Sequence, residues 1–371
     1  MNAALLKKRI AEAPRMEPTD VVKLAYQSEF GCGHLFSAQS EQGEKDPVAE
    51  RLCREWSLVP MNPQTPAATM IGGGFCRLNL ASPKVRELSP VWIAQMMRMT
   101  AEQSHGSVPR FEQTLQSIRR LAQANEMPFS AEVLDQYLKA YRAQGYPPVS
   151  HSAGYKKAYA PAYRVVLSDF AALLPVLAAL PDPSLMEENP KADPLLIVLD
   201  GDCGAGKTTL SNLLAALCKI KPIRMDDFFL PYEMRTPQRL REPGGNVHYE
   251  RFQSEVLNRL PATERFSYLR FDCATGKYIP QAYQPACVEV IEGSYSHHPA
   301  FREAYERLHA LRVFVEVDAH EQLRRLALRN ADLLPRFQNE WIPLEKNYFE
   351  AYDIKKRANI ALQSEPWEET E

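Results

Sequence analysis

The amino-acid sequence predicts an α/β fold, a parallel sheet with flanking helices, for the second half of the chain, preceded by a mostly α-helical N-terminal domain. Beyond residue 194, short apolar runs alternate with helical stretches, which is typical of a parallel sheet with crossover helices. The first of these runs leads directly into a glycine-rich loop and an amphipathic stretch. Before residue 181, helical periodicity dominates. We therefore expect two domains of different architecture.

A connector rich in proline and acidic residues separates the two halves. It spans residues 181–194 and punctuates the chain with turn-forming residues. A chain of 371 residues is also long for a single hydrophobic core. The sequence thus predicts a helical domain of unknown function at 1–180, a linker at 181–194 and a second domain at 195–371.

Hydrophobic periodicity places the individual elements along the chain. The predicted helices of the first half span residues 4–13, 19–29, 47–56, 89–103, 109–124, 130–143 and 163–180. The predicted strands of the second half span residues 195–199, 223–225, 288–291, 311–317 and 360–362. In a doubly wound sheet, ligands bind outside the carboxyl ends of the strands, so the residues that follow each strand are the functional candidates.

Composition narrows the function classes and the cellular setting. The formal net charge is -2, and neither half carries a bulk basic surface suited to nucleic acid. Seven cysteines without a C-x-x-C pair indicate reduced thiols rather than a disulfide framework. The N-terminus lacks the apolar core of a signal peptide, and the most apolar stretch, 165–180, is interrupted by Asp169 and Pro175. We expect a soluble, cytoplasmic protein that binds neither nucleic acid nor membrane.

Residues 201–208 match the phosphate-binding loop pattern G-x-x-x-x-G-K-[ST] between a predicted strand and a predicted helix. The glycines let backbone N–H groups point at phosphates, and the helix N-terminus adds a favourable field for anions. Lys207 would place its charge on the terminal phosphates, and Thr208 would hold a magnesium ion. The predicted nucleotide-binding residues are Gly201, Asp202, Cys203, Gly204, Ala205, Gly206, Lys207, Thr208 and Thr209.

This loop does not by itself select a reaction, because kinases, GTPases, transporters and motors share it. The sequence contains neither the guanine-reading motif N-K-x-D nor the transporter signature L-S-G-G-Q, which disfavours a GTPase and an ABC protein. Cys203 lies inside the loop near a helix N-terminus, which could lower its pKa and allow redox control. A small side chain that merely fits is the plainer interpretation.

Acidic residues follow two of the predicted strands. Asp226 and Asp227 come after the second strand, and Glu292 comes after the third. Phosphoryl transfer needs a carboxylate to accept the proton of the attacking hydroxyl and another to hold the metal. Asp226 suits the first task, while Glu292, with Thr208 and Asp226, suits the metal. The alternative is that these acids only cap the helices that follow.

Several segments resemble the uridine kinase and phosphoribulokinase family of P-loop kinases. Besides the phosphate-binding loop, they are M-D-D-F-F at 225–229, P-G-G-N-V-H-Y-E-R-F at 243–252, I-E-G-S-Y at 291–295, L-R-R at 323–325 and E-W-I-P-L-E at 340–345. The resemblance covers the chain from about residue 195 onward and leaves the first half unassigned. It implies a nucleoside-kinase-like domain with ATP and Mg²⁺ as cofactors.

The resemblance also implies roles for individual residues. Asp226 corresponds to the general base of the family, and Glu292 to an acid that helps bind magnesium. Arg325 and Arg329 correspond to arginines of a lid that closes over the triphosphate. Arginine suits that task because its fork stays charged and can grip two phosphate oxygens. A solvated helix face is the alternative for both arginines.

The predicted acceptor pocket departs from the family pattern. His248 stands where nucleoside kinases carry an acid, and Phe271-Asp272 replaces a Tyr-Asp pair. A pocket that hydrogen-bonds its acceptor discriminates strongly, so these changes indicate an acceptor other than uridine. We expect Asp227, His248, Phe271 and Asp272 to contact the acceptor. For His248 a helix start, and for Asp272 a turn anchor, are the alternatives.

The sequence therefore supports two hypotheses. The first is an ATP-dependent kinase that phosphorylates a hydroxyl of a small metabolite. The sequence is compatible with a homo-oligomer. The second is a nucleotide-binding regulatory protein whose phosphate loop controls the first half without turnover. In that first half, the glycines in 72–77 could form an anion nest or a turn, and the Lys-Tyr segment 155–163 could touch phosphates or be solvated.

Overall fold

We describe a computed structural model of the chain over residues 2–36, 47–188, 194–261 and 264–364. These residues form two compact units, one up to Ala178 and one from Ala179 onward. The predicted linker contains a short helix, Pro183–Glu188, and its residues 189–193 lie outside the described ranges. No helix in the described part of the chain combines the length and apolarity that crossing a bilayer requires.

The first unit is built mainly from helices. Serine side chains begin several of them: Ser107 accepts from the Arg110 N–H group and Ser130 from the Val133 N–H group. The helices are α1 (Ala3–Glu12), α2 (Pro18–Phe30), α3 (Pro47–Leu58), α4 (Pro83–Arg86), α5 (Pro90–Gln103), α6 (Val108–Gln123), α7 (Ala131–Ala143), α8 (Ala153–Tyr159) and α9 (Phe170–Ala178). The six predicted helices between residues 4 and 143 are thereby confirmed to within a few residues at their ends.

The first unit also contains a small antiparallel sheet that sequence periodicity does not predict. Its strands β1 (Ala68–Gly72), β2 (Phe75–Asn79) and β3 (Tyr163–Leu167) lie in that order. The predicted helix 163–180 is therefore wrong over residues 163–169, nearly two turns, and correct only from Phe170 to Ala178. Val165 and Val166 are buried in β3, where β-branched side chains pack well and β2 supplies the hydrogen bonds.

The glycine cluster forms the tight turn that joins β1 to β2. Gly73 and Gly74 have φ angles of +66° and +79°, which favour glycine. A Cβ atom on Gly73 would overlap the backbone carbonyl of Ser28 in α2. Of the two interpretations of this segment, the structure shows the turn.

In the second unit, five of the described strands form a parallel sheet in the order β10-β9-β4-β8-β5. They are β4 (Leu195–Gly201), β5 (Ile223–Arg224), β8 (Val288–Glu292), β9 (Leu311–Val317) and β10 (Ile360–Ser364). The five predicted strands are confirmed, although β5 is one residue shorter than expected because Met225 begins a 3-10 turn. The apolar runs are buried because helices cover the sheet on its faces.

The second unit also contains a hairpin and several helices. A long antiparallel hairpin, β6 (Phe266–Asp272) with β7 (Lys277–Tyr283), was not predicted. The helices are α10 (Pro183–Glu188), α11 (Lys207–Cys218), α12 (Pro237–Arg241), α13 (Tyr249–Glu255), α14 (Arg302–Arg307), α15 (Ala319–Asn330), α16 (Leu334–Arg336), α17 (Ile342–Ala351) and α18 (Ile354–Arg357). The arrangement brings the carboxyl ends of β4, β5 and β8 to one edge of the sheet.

Candidate functional site

The predicted phosphate-binding loop joins the end of β4 to the start of α11. Gly201, Gly204 and Gly206 have φ angles of +136°, +76° and +92°, which turn the backbone in a way that other residues rarely adopt. A Cβ atom on Gly201 would overlap the backbone carbonyl of Val315 in β9. The loop ends at the N-terminus of a twelve-residue helix, which favours anions. The strand, loop and helix therefore have the order and backbone conformation expected of a phosphate-binding loop.

The Lys207 side chain is hydrogen-bonded to the backbone of this loop. Its Nζ atom donates to the carbonyl oxygens of Gly201 and Asp202, at 2.7 and 2.9 Å, and to the Ser294 hydroxyl at 3.2 Å. Only 8% of the residue is exposed. The ammonium group is thus held at the loop, where it would meet a terminal phosphate.

Thr208 and Glu292 lie together, as the sequence predicts. The Thr208 hydroxyl is 3.3 Å from the nearer carboxylate oxygen of Glu292, and an Arg224 guanidinium nitrogen is 3.1 Å from the other. Burial raises the pKa of Glu292, and the like charge of Asp226 adds to this, while Arg224 and Lys207 act in the opposite direction. The protonation of Glu292 therefore depends on the charges of Asp226, Arg224 and Lys207.

Asp226 joins this group from the end of β5. Its side chain reaches the surface, but the surrounding protein still desolvates the carboxylate enough to raise its pKa. The charges of Lys207, Arg224 and Arg329 partly offset that rise. A carboxylate whose pKa lies above its ordinary value is a better proton acceptor for an alcohol than an ordinary aspartate.

The described residues offer a partial set of magnesium ligands. No group of three or more His, Cys, Asp or Glu side chains converges on a metal position within the described ranges. Magnesium is commonly held by one or two carboxylates together with substrate phosphates and water. The Thr208 hydroxyl beside the Glu292 carboxylate fits that kind of site, with Asp226 near it.

Asp227 points away from solvent and contacts the hairpin. Its Oδ2 atom accepts a hydrogen bond of 3.0 Å from the hydroxyl of Tyr268 in β6. Burial raises the pKa of Asp227, and the bond from Tyr268 opposes this rise. Sequence reasoning missed Tyr268, because nothing local indicates that β6 reaches the acid pair.

The other predicted acceptor residues lie at element ends. His248 immediately precedes α13, with Nδ1 3.1 Å from a Glu250 carboxylate oxygen. Phe271 is buried in the hairpin beside Tyr232, and Asp272 accepts from the Ala274 N–H group at 2.9 Å. The helix start and the turn anchor therefore describe where His248 and Asp272 lie, and their acceptor contacts stay predictions.

The two predicted lid arginines differ in their surroundings. Arg325 is 2% exposed, and it bonds to Glu321 at 2.6 Å and to the Ser364 hydroxyl at 2.8 Å. It also donates to the carbonyl of Gly204 in the loop at 3.3 Å. Arg329 is exposed and acts on Asp226 through its charge. The lid contact stays a prediction for both, and Arg329 is the better placed.

Two polar residues at the loop were not predicted as site residues. Ser294 donates to a carboxylate oxygen of Glu345 at 2.6 Å, and the Cys203 N–H group donates to the other oxygen at 2.9 Å.

Burial raises the pKa of the Cys203 thiol, and the charge of Glu345 raises it further. The direction of this pKa shift argues against a reactive, low-pKa thiol and agrees with the plainer interpretation of Cys203 as a small side chain that fits the loop.

Comparison with known proteins gives structural matches only. No protein-family model matches the chain, and no curated protein matches its sequence. A possible uridine kinase from Bacillus stearothermophilus is 20% identical, with a TM-score of 0.38 over 52% of this chain and 96% of that one. D-glycerate 3-kinase from Cryptococcus neoformans is 14% identical, with a TM-score of 0.31 over 44% of this chain and 84% of that one. A shikimate kinase from Bacteroides thetaiotaomicron is 18% identical, with a TM-score of 0.26 over 46% and 86%.

Proposed function

We propose that the protein is an ATP-dependent kinase that transfers the γ-phosphoryl group to a hydroxyl of a small metabolite. The observation that carries the proposal is the convergence of Lys207, the Thr208–Glu292 pair and Asp226 at one edge of the sheet. A phosphate-binding loop alone serves many functions, but a carboxylate with a raised pKa beside it suits an attacking hydroxyl.

In this mechanism, the loop backbone and Lys207 hold the triphosphate. Thr208 and Glu292 would hold magnesium, which neutralises charge that develops on the phosphates. The hydroxyl oxygen of the acceptor bonds to the γ-phosphorus while the bond from that phosphorus to ADP breaks. Asp226 accepts the proton that this hydroxyl loses. Arg329 stabilises the transferred group through its charge.

The acceptor side is proposed to lie between Asp226 and the hairpin. The Tyr268–Asp227 hydrogen bond ties the hairpin to the acid pair, and Phe271 and Asp272 lie on the same hairpin. His248 would face the acceptor from the start of α13. A small metabolite with several hydroxyl groups fits such a set of polar side chains, and we propose no macromolecular substrate.

The test is a phosphoryl-transfer screen of nucleosides, sugars and vitamin precursors with ATP, scored by the mass of the acceptor. Asp226→Asn should lower turnover on the accepted substrate by roughly 10² to 10⁴-fold, because it removes the proton acceptor, while ATP binding persists. Asp135→Asn, on an exposed carboxylate in the first unit, is the matched control. Near-normal turnover of Asp226→Asn would refute the assignment of the base.

A negative screen is also informative. If the protein binds ATP tightly and transfers phosphate to no member of the panel, the kinase proposal fails. That outcome would support the nucleotide-binding regulatory protein instead.

A further inference from the structure

A buried carboxylate from a distant part of the chain sits at the phosphate-binding loop. Glu345, in the first turn of α17, is 5% exposed. One of its oxygens accepts from the Cys203 N–H group at 2.9 Å, and the other accepts from the Ser294 hydroxyl at 2.6 Å. The residue therefore connects the loop to the segment that follows β8.

The direction of the hydrogen bonds around Ser294 is fixed by its neighbours. The Lys207 ammonium group has no acceptor, so it must donate to the Ser294 oxygen, at 3.2 Å. The single hydroxyl proton of Ser294 is then free to go to Glu345. Lys207, Ser294 and Glu345 thus form one directed chain that ends on a carboxylate.

Both oxygens of Glu345 are used as acceptors, which matches the ionised form of the side chain. Burial raises the pKa of Glu345, whereas Lys207, Ser294 and Cys203 favour its charged form. Lys207 is the cation that faces Glu345. The charge of Glu345 also raises the pKa values of Cys203 and Tyr295. A buried carboxylate is costly unless it is paired and hydrogen-bonded, and an apolar residue could anchor α17 without that cost.

We propose that Glu345 is a positioning residue for nucleotide binding, which rests on the proposed use of this loop for ATP. Through Ser294 it sets the place of the Lys207 ammonium group, and directly it sets the direction of the Cys203 N–H group. The loop backbone and the position of the Lys207 charge are then set before a triphosphate binds, while the Cys203 N–H group stays bonded to Glu345.

The test is a double-mutant cycle on ATP affinity, measured by titration calorimetry on the full chain. Glu345→Gln replaces one acceptor with an amide donor, and Ser294→Ala breaks the same chain from the other side. Each should weaken ATP binding by about tenfold, and the double variant should also lose about tenfold rather than a hundredfold. Glu345→Asp, which keeps the charge, should recover part of the affinity.

Glu350→Gln is the matched control, because it is the same change on the exposed side of the same helix. It should leave ATP affinity unchanged, and thermal unfolding will show whether each variant is folded. Independent, additive losses for Glu345→Gln and Ser294→Ala would overturn the proposal, as would unchanged affinity in either single variant.

Failure of this inference is distinguishable from failure of the proposed kinase function. If the wild type binds ATP but transfers phosphate to no acceptor, the kinase proposal fails and the affinity cycle still decides the role of Glu345. If transfer occurs and the variants bind ATP normally, the role of Glu345 is refuted alone. If the wild type binds no ATP, both are refuted.

Discussion

A buried histidine in the first unit should resist protonation. His151 is 8% exposed and stacks on Tyr155 with ring centroids 4.2 Å apart. Its Nδ1 atom is 2.8 Å from an Asp20 carboxylate oxygen, and Nε2 is 2.6 Å from the Tyr163 hydroxyl. These partners fit a neutral ring that donates from Nδ1 to Asp20 and accepts at Nε2 from Tyr163.

The magnitude follows from the pKa of this group. Burial lowers the pKa of His151 to about 4 from its ordinary 6.5, although the bond to Asp20 acts in the opposite direction. Between these two pH values the unfolded chain binds a proton that the folded chain does not. The contribution of His151 to the free energy of unfolding is therefore fully present above about pH 6.5 and is lost as the pH drops toward 4. A difference of about 2.5 units corresponds to about 3 kcal/mol.

The measurement is a pH titration by NMR of the full chain with histidine labelled at the Cε1 carbon. His151→Gln identifies the signal of His151 by its disappearance, and His320→Gln, an exposed histidine, controls for the loss of a histidine. The His151 signal should titrate near pH 4, and urea unfolding of the variant should depend less on pH between 6.5 and 4. A His151 midpoint at or above 6.5 would refute the reasoning.

Two further predictions concern the loop and its neighbours. Arg325→Met should lower the free energy of unfolding by roughly 2 kcal/mol, because it removes buried hydrogen bonds of a charged group. Arg329→Met should change it by less than about 0.5 kcal/mol but should lower turnover. Urea unfolding and turnover of the two variants separate these effects, and equal stability losses would contradict the assignment. Gly201→Ala should destabilise the protein by clearly more than Gly74→Ala, since both have positive φ but only Gly201 would meet a backbone carbonyl. Equal shifts of the thermal midpoint would show that the contact with Val315 is relieved by a small backbone movement.

The sequence predicts the parts of the site that are local in the chain. The loop 201–208 carries its own conformation in its glycines, and Asp226 and Glu292 follow strands whose parallel order brings them together. Their approach to Lys207 and Thr208 needs no information beyond strand order. Local motifs and strand order are therefore sufficient to predict these residues.

Residues that reach the site from remote elements could not be predicted in this way. Glu345 is 142 residues from Cys203 in sequence, and Tyr268 is 41 residues from Asp227. Their contacts depend on how α17 and the hairpin pack, which periodicity does not encode. Likewise β3 was missed because its apolar residues run almost directly into α9, so a strand and a helix form one hydrophobic stretch.

The hydrogen bonds of Lys207 have a thermodynamic consequence for the proposed binding of a nucleotide. Because the ammonium group ties the two loop carbonyls to Ser294, the conformational entropy of the loop is lost during folding and not during ligand association. Lys207→Ala would then release a loop that the ligand must order again, in addition to removing a charge. The affinity lost in that variant measures both contributions, and Lys207→Arg, which keeps the charge but changes the fit to the carbonyls, separates them.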